Sequence, residues 1–301
     1  VVGARRPAPR PGGERFPRSL SVTEIETLVR DPYAVFARHI LRLSPLDPLG
    51  LRPNLADRGS ILHEVLAAFA AAHPGPLPPQ ARAELIQRGL DAFRPIEEAY
   101  PELYALWAPD FERMVPHLLE WEHQRRAAMD RLLVEKPGRI EIPLPSGPPL
   151  AIRGYADRIE IAADGSATVV DFKSGRMPSL DEVRVGFAPQ LTLEAAMVRA
   201  GGFEGVPPTA TVPNLLYVKL GGRDRVKPQE IKPRDGTSLA DLVEAHVDGV
   251  TRLAGLFASG EAGYLSRRLP RESRFAGRYD HLARVGEWSV LGDSPGGEPL
   301  P

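Results

Sequence analysis

Asp157, Asp171 and Lys173 stand in one short stretch, Gly154-Tyr-Ala-Asp157-Arg-Ile-Glu-Ile-Ala-Ala-Asp-Gly165-Ser-Ala-Thr-Val-Val-Asp171-Phe-Lys173, whose residue types could do hydrolytic chemistry together. On a strand, side chains two apart share a face, so Asp171 and Lys173 point one way and Phe172 the other. A three-residue loop Ala163-Asp164-Gly165, with Gly165 in the left-handed conformation, is a favoured hairpin turn. It pairs Ala162 with Ser166 and sets Asp157 opposite Asp171, with Cβ atoms about 5 Å apart. A two-residue Asp164-Gly165 turn would instead send the two carboxylates to opposite faces. Facing carboxylates repel unless a cation lies between them. Together they suit a hard cation such as Mg²⁺ or Mn²⁺. An adjacent lysine supplies positive charge for an anionic transition state, or a base for a water, and the set fits phosphodiester hydrolysis. A solvent-facing hairpin with surface ion pairs would explain any one of these residues. It does not explain the ordered set, because Val169, Val170 and Phe172 mark the strand as buried.

The surrounding periodicities predict what must position this hairpin. Ser21-Val-Thr-Glu24 fits a capping box ahead of Ile25, Leu28 and Val29. A short helix is expected after Asp31-Pro32. Asp57-Arg-Gly-Ser60 leads into a helix carrying Ile61, Leu62, Val65, Leu66 and Phe69 and ending near His73-Pro74. Helices are expected over residues 80–97 and 110–135, with Pro116 starting or kinking the second. From Arg139 the pattern becomes β-rich, giving strands at 139–144, 151–161 and 167–172. Pro189 opens a helix to about Arg199, Thr211–Leu220 reads as a strand, 226–232 as another, and 238–258 as a long helix. The result is an α/β chain: a helical N-terminal half, then a central mixed sheet flanked by helices.

Composition sets the outer limits. The 301 residues are 43% hydrophobic and 26% charged, as in a globular chain. Cysteine is absent, which removes disulfides, cysteine-ligated zinc or iron–sulfur clusters, and a cysteine nucleophile. The net charge of −1 shows no overall basic field, so any nucleic-acid contact must come from a local groove. Only five basic residues are lysine, Lys173 among them, against a background of arginine. No apolar run is long enough to span a membrane. The chain opens on Val1 without a secretory signal and reads as a cytoplasmic domain of something longer. Residues 1–19, rich in Pro, Gly and Arg, are expected to be a stiff basic linker. Residues 20–290 read as a single domain: a helical part to 136, a sheet core over 137–260 and a C-terminal segment over 261–290. Residues 291–301 read as a loose tail.

Gly154-x-x-Asp157-Arg-Ile, Val170-Asp171-Phe-Lys173-Ser-Gly, Pro189-Gln190-Leu191 and the upstream Arg58-Gly-Ser-Ile-Leu-His63-Glu64 resemble the RecB-type PD-(D/E)XK nucleases. The likeness is nearest to the C-terminal nuclease domain of AddB in its alphaproteobacterial, cysteine-free form, and covers roughly Ser21 to Trp288. It implies a restriction-endonuclease-like sheet. It also implies metal ligation by His63, Asp157, Asp171 and the backbone carbonyl of Phe172, with catalytic roles for Asp157, Asp171, Lys173 and Gln190. The cofactor would be Mg²⁺ or Mn²⁺. An iron–sulfur clip found in many such nucleases is absent, and its early cysteine position corresponds to Asp31. The partners implied are single-stranded DNA ends, an AddA-like helicase–nuclease subunit and an upstream helicase-like region of the same polypeptide, in double-strand-break processing. Arg176, Arg184, Arg267, Arg268, Arg271 and Arg274 are candidate DNA-backbone contacts. Tyr264, Phe275 and Tyr279 are candidate stacking residues, with core packing as the competing role. The alternatives are a catalytically silent DNA-binding or scaffold module and a stand-alone Cas4-like exonuclease.

Overall fold

The computed structural model describes residues 5–46, 50–208, 211–222, 225–268 and 277–289. The chain divides into two compact units, one comprising 1–48, 141–152 and 248–301, the other 49–140 and 153–247.

A six-stranded sheet runs in the order β1-β3-β4-β5-β6, with β2 pairing with β3. The strands are β1 (Ser19–Ser21), β2 (Arg131–Ile142), β3 (Leu150–Ile161), β4 (Ala167–Lys173), β5 (Asn214–Leu220) and β6 (Val226–Glu230). β3 and β4 are antiparallel, β4 and β5 parallel, and β5 and β6 antiparallel, so the sheet is mixed, as expected. The parallel step requires a crossover, and α6 (Leu180–Arg184) and α7 (Gln190–Arg199) supply it.

In the second unit, one face of the sheet is covered by α3 (Leu55–Ala72), α4 (Ala81–Ala99) and α5 (Pro101–Arg126). Val170, Phe172, Leu216 and Val218 from the strands share a core with Leu62, Phe69, Phe93, Phe111 and Trp121 from these helices. α7 packs on β4 and β5. α8 (Leu239–Ala258) runs from the second unit into the first, and a short α9 (Val285–Trp288) lies in the first. Within the first unit, α1 (Val22–Arg30) begins at the expected capping box of Ser21 and Glu24. α2 (Pro32–Val35) follows it and passes into a five-residue π-turn, Phe36–Ile40.

Three expectations are corrected. α5 ends at Arg126, not near 135, and Arg131–Val134 already belongs to β2; the apolar Leu132-Leu133-Val134 reads as either element without its tertiary partners. α5 also starts nine residues before 110 and carries both Pro109 and Pro116 inside it. The described part of the N-terminal stretch is built into the first unit rather than free. Ser266 and Tyr264 donate to the carbonyls of Pro7 and Pro9, Arg6 bonds the carbonyl of Ser266 (2.6 Å), and buried Phe16 stacks on Phe257 (6.2 Å). Proline lacks an N–H but keeps an acceptor, so a proline-rich strand can still be stitched down.

At the Asp31 position the first unit carries a polar clip. The Asp31 carboxylate accepts the backbone N–H of Arg267 (2.8 Å), and the Arg267 guanidinium is paired with Asp280 (2.9 Å). The N-terminal helical region and the late segment are thus fastened by hydrogen bonds and an ion pair in addition to packing.

α6 is fixed through Glu182, which accepts from Ser179 and from Arg176. Burial opposes its charge, but these donors outweigh the burial and bring its pKa to about 2. A depressed carboxylate pKa contributes stability that is present above the usual 4.5 and is lost as pH falls toward 2. Glu182→Gln is therefore expected to cost about 1–3 kcal/mol at pH 7. That difference should shrink toward zero between pH 4.5 and 2, read by urea unfolding of both proteins at stepped pH.

Candidate active site

Gly165 adopts φ +80°, Gly165 donates to the carbonyl of Ala162, and Ala162 pairs with Ser166 (2.9 Å), giving the three-residue hairpin. The ladder runs from Ile161 opposite Ala167 to Arg158 opposite Val170. One step further, the Asp157 Oδ2 accepts the backbone N–H of Phe172 (2.8 Å), so its carboxylate lies against the strand segment that carries Asp171 and Lys173.

α3 brings the imidazole. His63 lies one turn after Gly59, which sits against the Ser174 hydroxyl just past the end of β4. His63 Nδ1 lies 3.4 Å from Asp157 Oδ2, and its ring stands edge-on to Phe172. α7 brings the amide. Gln190 Nε2 donates to Asp171 Oδ1 (2.6 Å), and Gln190 Oε1 accepts from Lys173 Nζ (3.0 Å). Lys173 also donates to Asp171 Oδ1 (3.0 Å), while the buried Asp171 Oδ2 has no hydrogen-bond partner although Nζ lies 2.8 Å away. The structure thus brings together His63, Asp157, Asp171, Lys173 and Gln190, all within the second unit. An open cleft of about 720 Å³ is lined by His63, Glu135, Asp157, Phe172, Lys173 and Arg176 among others.

Two residues were missed by the sequence reading. Glu135 offers a carboxylate that groups with His63 and Asp157, all three ligand atoms lying within 4.8 Å of one another. It lies on β2 at φ +47°, a strained backbone for a residue with a Cβ. Read as the end of a helix, that segment gave no reason to aim Glu135 here. Glu194, fully buried on α7, accepts from Gln190 Nε2 (3.2 Å). Its i, i+4 spacing from Gln190 was the available signal, but α7 is buried on every side and shows no polar face to draw attention to it.

The electrostatics are those of a site short of positive charge. Burial raises Asp171 to about 6, with Asp157 adding to the rise and Lys173 offsetting part of it. Burial and Asp157 raise Glu135 as well. Burial disfavours the charged forms of Lys173 and His63, but Asp171 holds Lys173 above its usual value and Asp157 does the same for His63. Two carboxylates and an imidazole, Asp157, Glu135 and His63, with ligand atoms within 4.8 Å of one another, fit a divalent cation.

The candidate arginines and aromatics separate. Arg176 is exposed at the cleft and bonded to Glu182 (2.5 Å); Arg184 bonds the carbonyl of Lys232 (2.9 Å) and Asp181. Arg267 is paired with Asp280 in the clip, and Arg268 is exposed in the first unit. Tyr264 and Tyr279 are buried and pack in the first unit rather than offering stacking faces. Arg271, Arg274 and Phe275 lie outside the described residues.

A profile of the PD-(D/E)XK nuclease superfamily matches residues 19–270. The chain belongs to that superfamily. It is similar to an uncharacterized protein of Rickettsia bellii, 30% identical over 189 residues (62% of this chain, 22% of the relative). An uncharacterized protein of Rickettsia conorii is 29% identical over 193 residues (62% and 23%). An ATP-dependent helicase/deoxyribonuclease subunit of Desulforudis audaxviator is 29% identical over 255 residues (71% and 21%). The chain thus spans about a fifth of the length of these relatives. The solved structure of SSO0001 aligns with 92% of this chain and 86% of its own at 14% identity, with a TM-score of 0.34.

If this PD-(D/E)XK cleft takes a divalent ion, Mn²⁺ at a hundred times its dissociation constant is expected to stabilise the fold by about 2.7 kcal/mol. A thermal melt with and without the ion reads this. Asp157→Asn should abolish the shift and Glu135→Ala should reduce it. An unchanged shift in Asp157→Asn would overturn the ligand assignment.

Proposed function

We propose that this nuclease-superfamily chain is a divalent-metal-dependent deoxyribonuclease domain that cuts single strands delivered by a helicase, in AddAB-like processing of double-strand breaks. The observation that carries this reading is the convergence of His63, Asp157 and Lys173 on one open cleft, with Asp171 and Gln190 bonded to Lys173 behind it. The helicase context rests on the similarity to a helicase/deoxyribonuclease component and on the small share of its relatives that the chain spans. An AddA-like partner and an upstream helicase-like region are what this context supports, with the cytoplasm as the place of work. No helix among the described residues is long and apolar enough to cross a membrane.

His63, Asp157, Glu135 and Asp171, with the carbonyl of Phe172, would hold Mg²⁺ or Mn²⁺. When bound, such an ion shields phosphate charge and acidifies a water. Lys173, steadied by Asp171 and Gln190, presents its ammonium where negative charge grows on the phosphate as the bond to the attacking oxygen forms. The Gln190 amide keeps that ammonium on the Asp171 side of the cleft. Arg176 at the rim supplies charge for the strand backbone. On β3, Ile152, Gly154 and Ala156 are buried while Arg153 and Tyr155 are exposed, so Arg153, Tyr155 and Asp157 share the outward face. Tyr155, 65% exposed and about 7 Å along the strand from Asp157, is a stacking surface for a base beside the cut phosphate.

Purified protein is expected to degrade labelled single-stranded DNA with Mg²⁺ or Mn²⁺. Asp171→Ala and Lys173→Ala should each reduce the rate at least about 10³-fold with unchanged circular dichroism. Full activity in either variant would sink the assignment.

Tyr155→Ala is expected to raise KM for single strands by about 5- to 100-fold, the worth of one lost base stack, with kcat retained. Equal effects on duplex and single strand would remove the stacking role.

A further inference from the structure

Gln190 sits between three charged or acidic side chains, and its amide is completely committed. The carbonyl oxygen accepts from Lys173, and the NH₂ group donates to Asp171 and to Glu194. Turning the amide over would set its NH₂ against the Lys173 ammonium and its oxygen against two carboxyl groups, so these contacts fix one orientation. The two acceptors are not equivalent. Asp171 is bonded to the cleft-lining Lys173 and belongs to the proposed cation site, whereas Glu194 lies one turn along α7, fully buried, with its other oxygen unpartnered. A buried carboxyl group is costly to keep, and nothing in the packing of an apolar α7 requires one.

The geometry points to Glu194 as a positioning residue: it anchors the Gln190 amide to its own helix, so that Lys173 stays aimed when Asp171 is drawn to a cation. This rests on the proposed nuclease reading and adds a residue to it. Burial and the nearby Asp171 raise the pKa of Glu194 well above the usual carboxylate value, so it takes up a proton more readily than an ordinary glutamate. An uncharged acid still accepts from Gln190 without competing with Asp171 for the cation.

The test uses Glu194→Met, which keeps length and apolar fit but accepts no amide hydrogen bond, and Glu194→Gln, whose amide oxygen still accepts. Glu194→Met is expected to lower kcat about 10- to 100-fold, as loss of a residue supporting an active-site ligand does, with KM, thermal midpoint and Mn²⁺-induced shift unchanged. Glu194→Gln should restore kcat to within about threefold. In a Gln190→Ala background, Glu194→Met should cost no more than about a further twofold, because the anchored amide is already gone. A wild-type kcat in folded Glu194→Met, or losses that multiply in the double variant, overturns the anchor. Should Glu194→Met not fold, loss of kcat in folded Glu194→Gln overturns it and retention supports it. A wild type without metal-dependent cleavage sinks the nuclease reading alone. In that event the crystal structure of Glu194→Met still decides the anchor, which falls if Gln190 stays hydrogen-bonded to Lys173.

Discussion

The acceptance of the Phe172 amide by the Asp157 carboxylate is the contact on which the rest of the site depends. It ties the side chain of one strand to the backbone of the next at the point where the ladder would pair them. With that bond in place, Asp157 meets His63 on one side, and the strand segment beside it carries Asp171 and Lys173. A register slip of one residue would turn every side chain of β4 over. Asp171 and Lys173 would then turn toward the apolar core, and Phe172 would turn away from it.

The face of the sheet that packs against α5 is correspondingly stiff. Phe172 packs edge-on to Trp121, and Arg158, 1% exposed, stands over the same indole. Arg158 is bonded to Glu122 (2.5 Å) and Glu160 (2.7 Å), which also pair with Arg126 and Arg125. Removing one member of such a buried set leaves an uncompensated charge and costs about 3–5 kcal/mol. The Arg158 of the Asp157-Arg-Ile motif thus reaches the α5 side of the sheet and locks β3 to α5. The motif reads as one unit in sequence because alternate residues of one strand serve a cleft on one side and a support on the other.

Much of this was legible beforehand for a local reason. Gly165 sets the turn, the turn sets the register, and the register sets Asp157 against the segment of Asp171, all within one short stretch. The capping box at Ser21 and the start of α7 at Pro189 were legible in the same way. What failed depends on distant partners. Leu132-Leu133-Val134 could extend α5 or begin β2, and choosing the helix hid Glu135. Glu194 was hidden by the all-round burial of α7. Tyr264 packs in the core, the role its sequence favoured, while a surface arginine has the same sequence signature as one paired like Arg267. Phe16 and the carbonyls of Pro7 and Pro9 were passed over because a proline-rich stretch shows no periodicity even when it is bonded down.

The fastening of Asp31 to Arg267 and Asp280 has a bearing on where such a chain can work. A closure made from a backbone amide, a guanidinium and two carboxylates contains nothing that oxygen can corrode and nothing that a chelator can strip. It needs no assembly machinery and is complete as soon as the chain has folded. Burial and the neighbouring Asp280 hold Asp31 above its ordinary pKa, so the folded chain takes up a proton there more readily than the unfolded one and this group does not make acid destabilising.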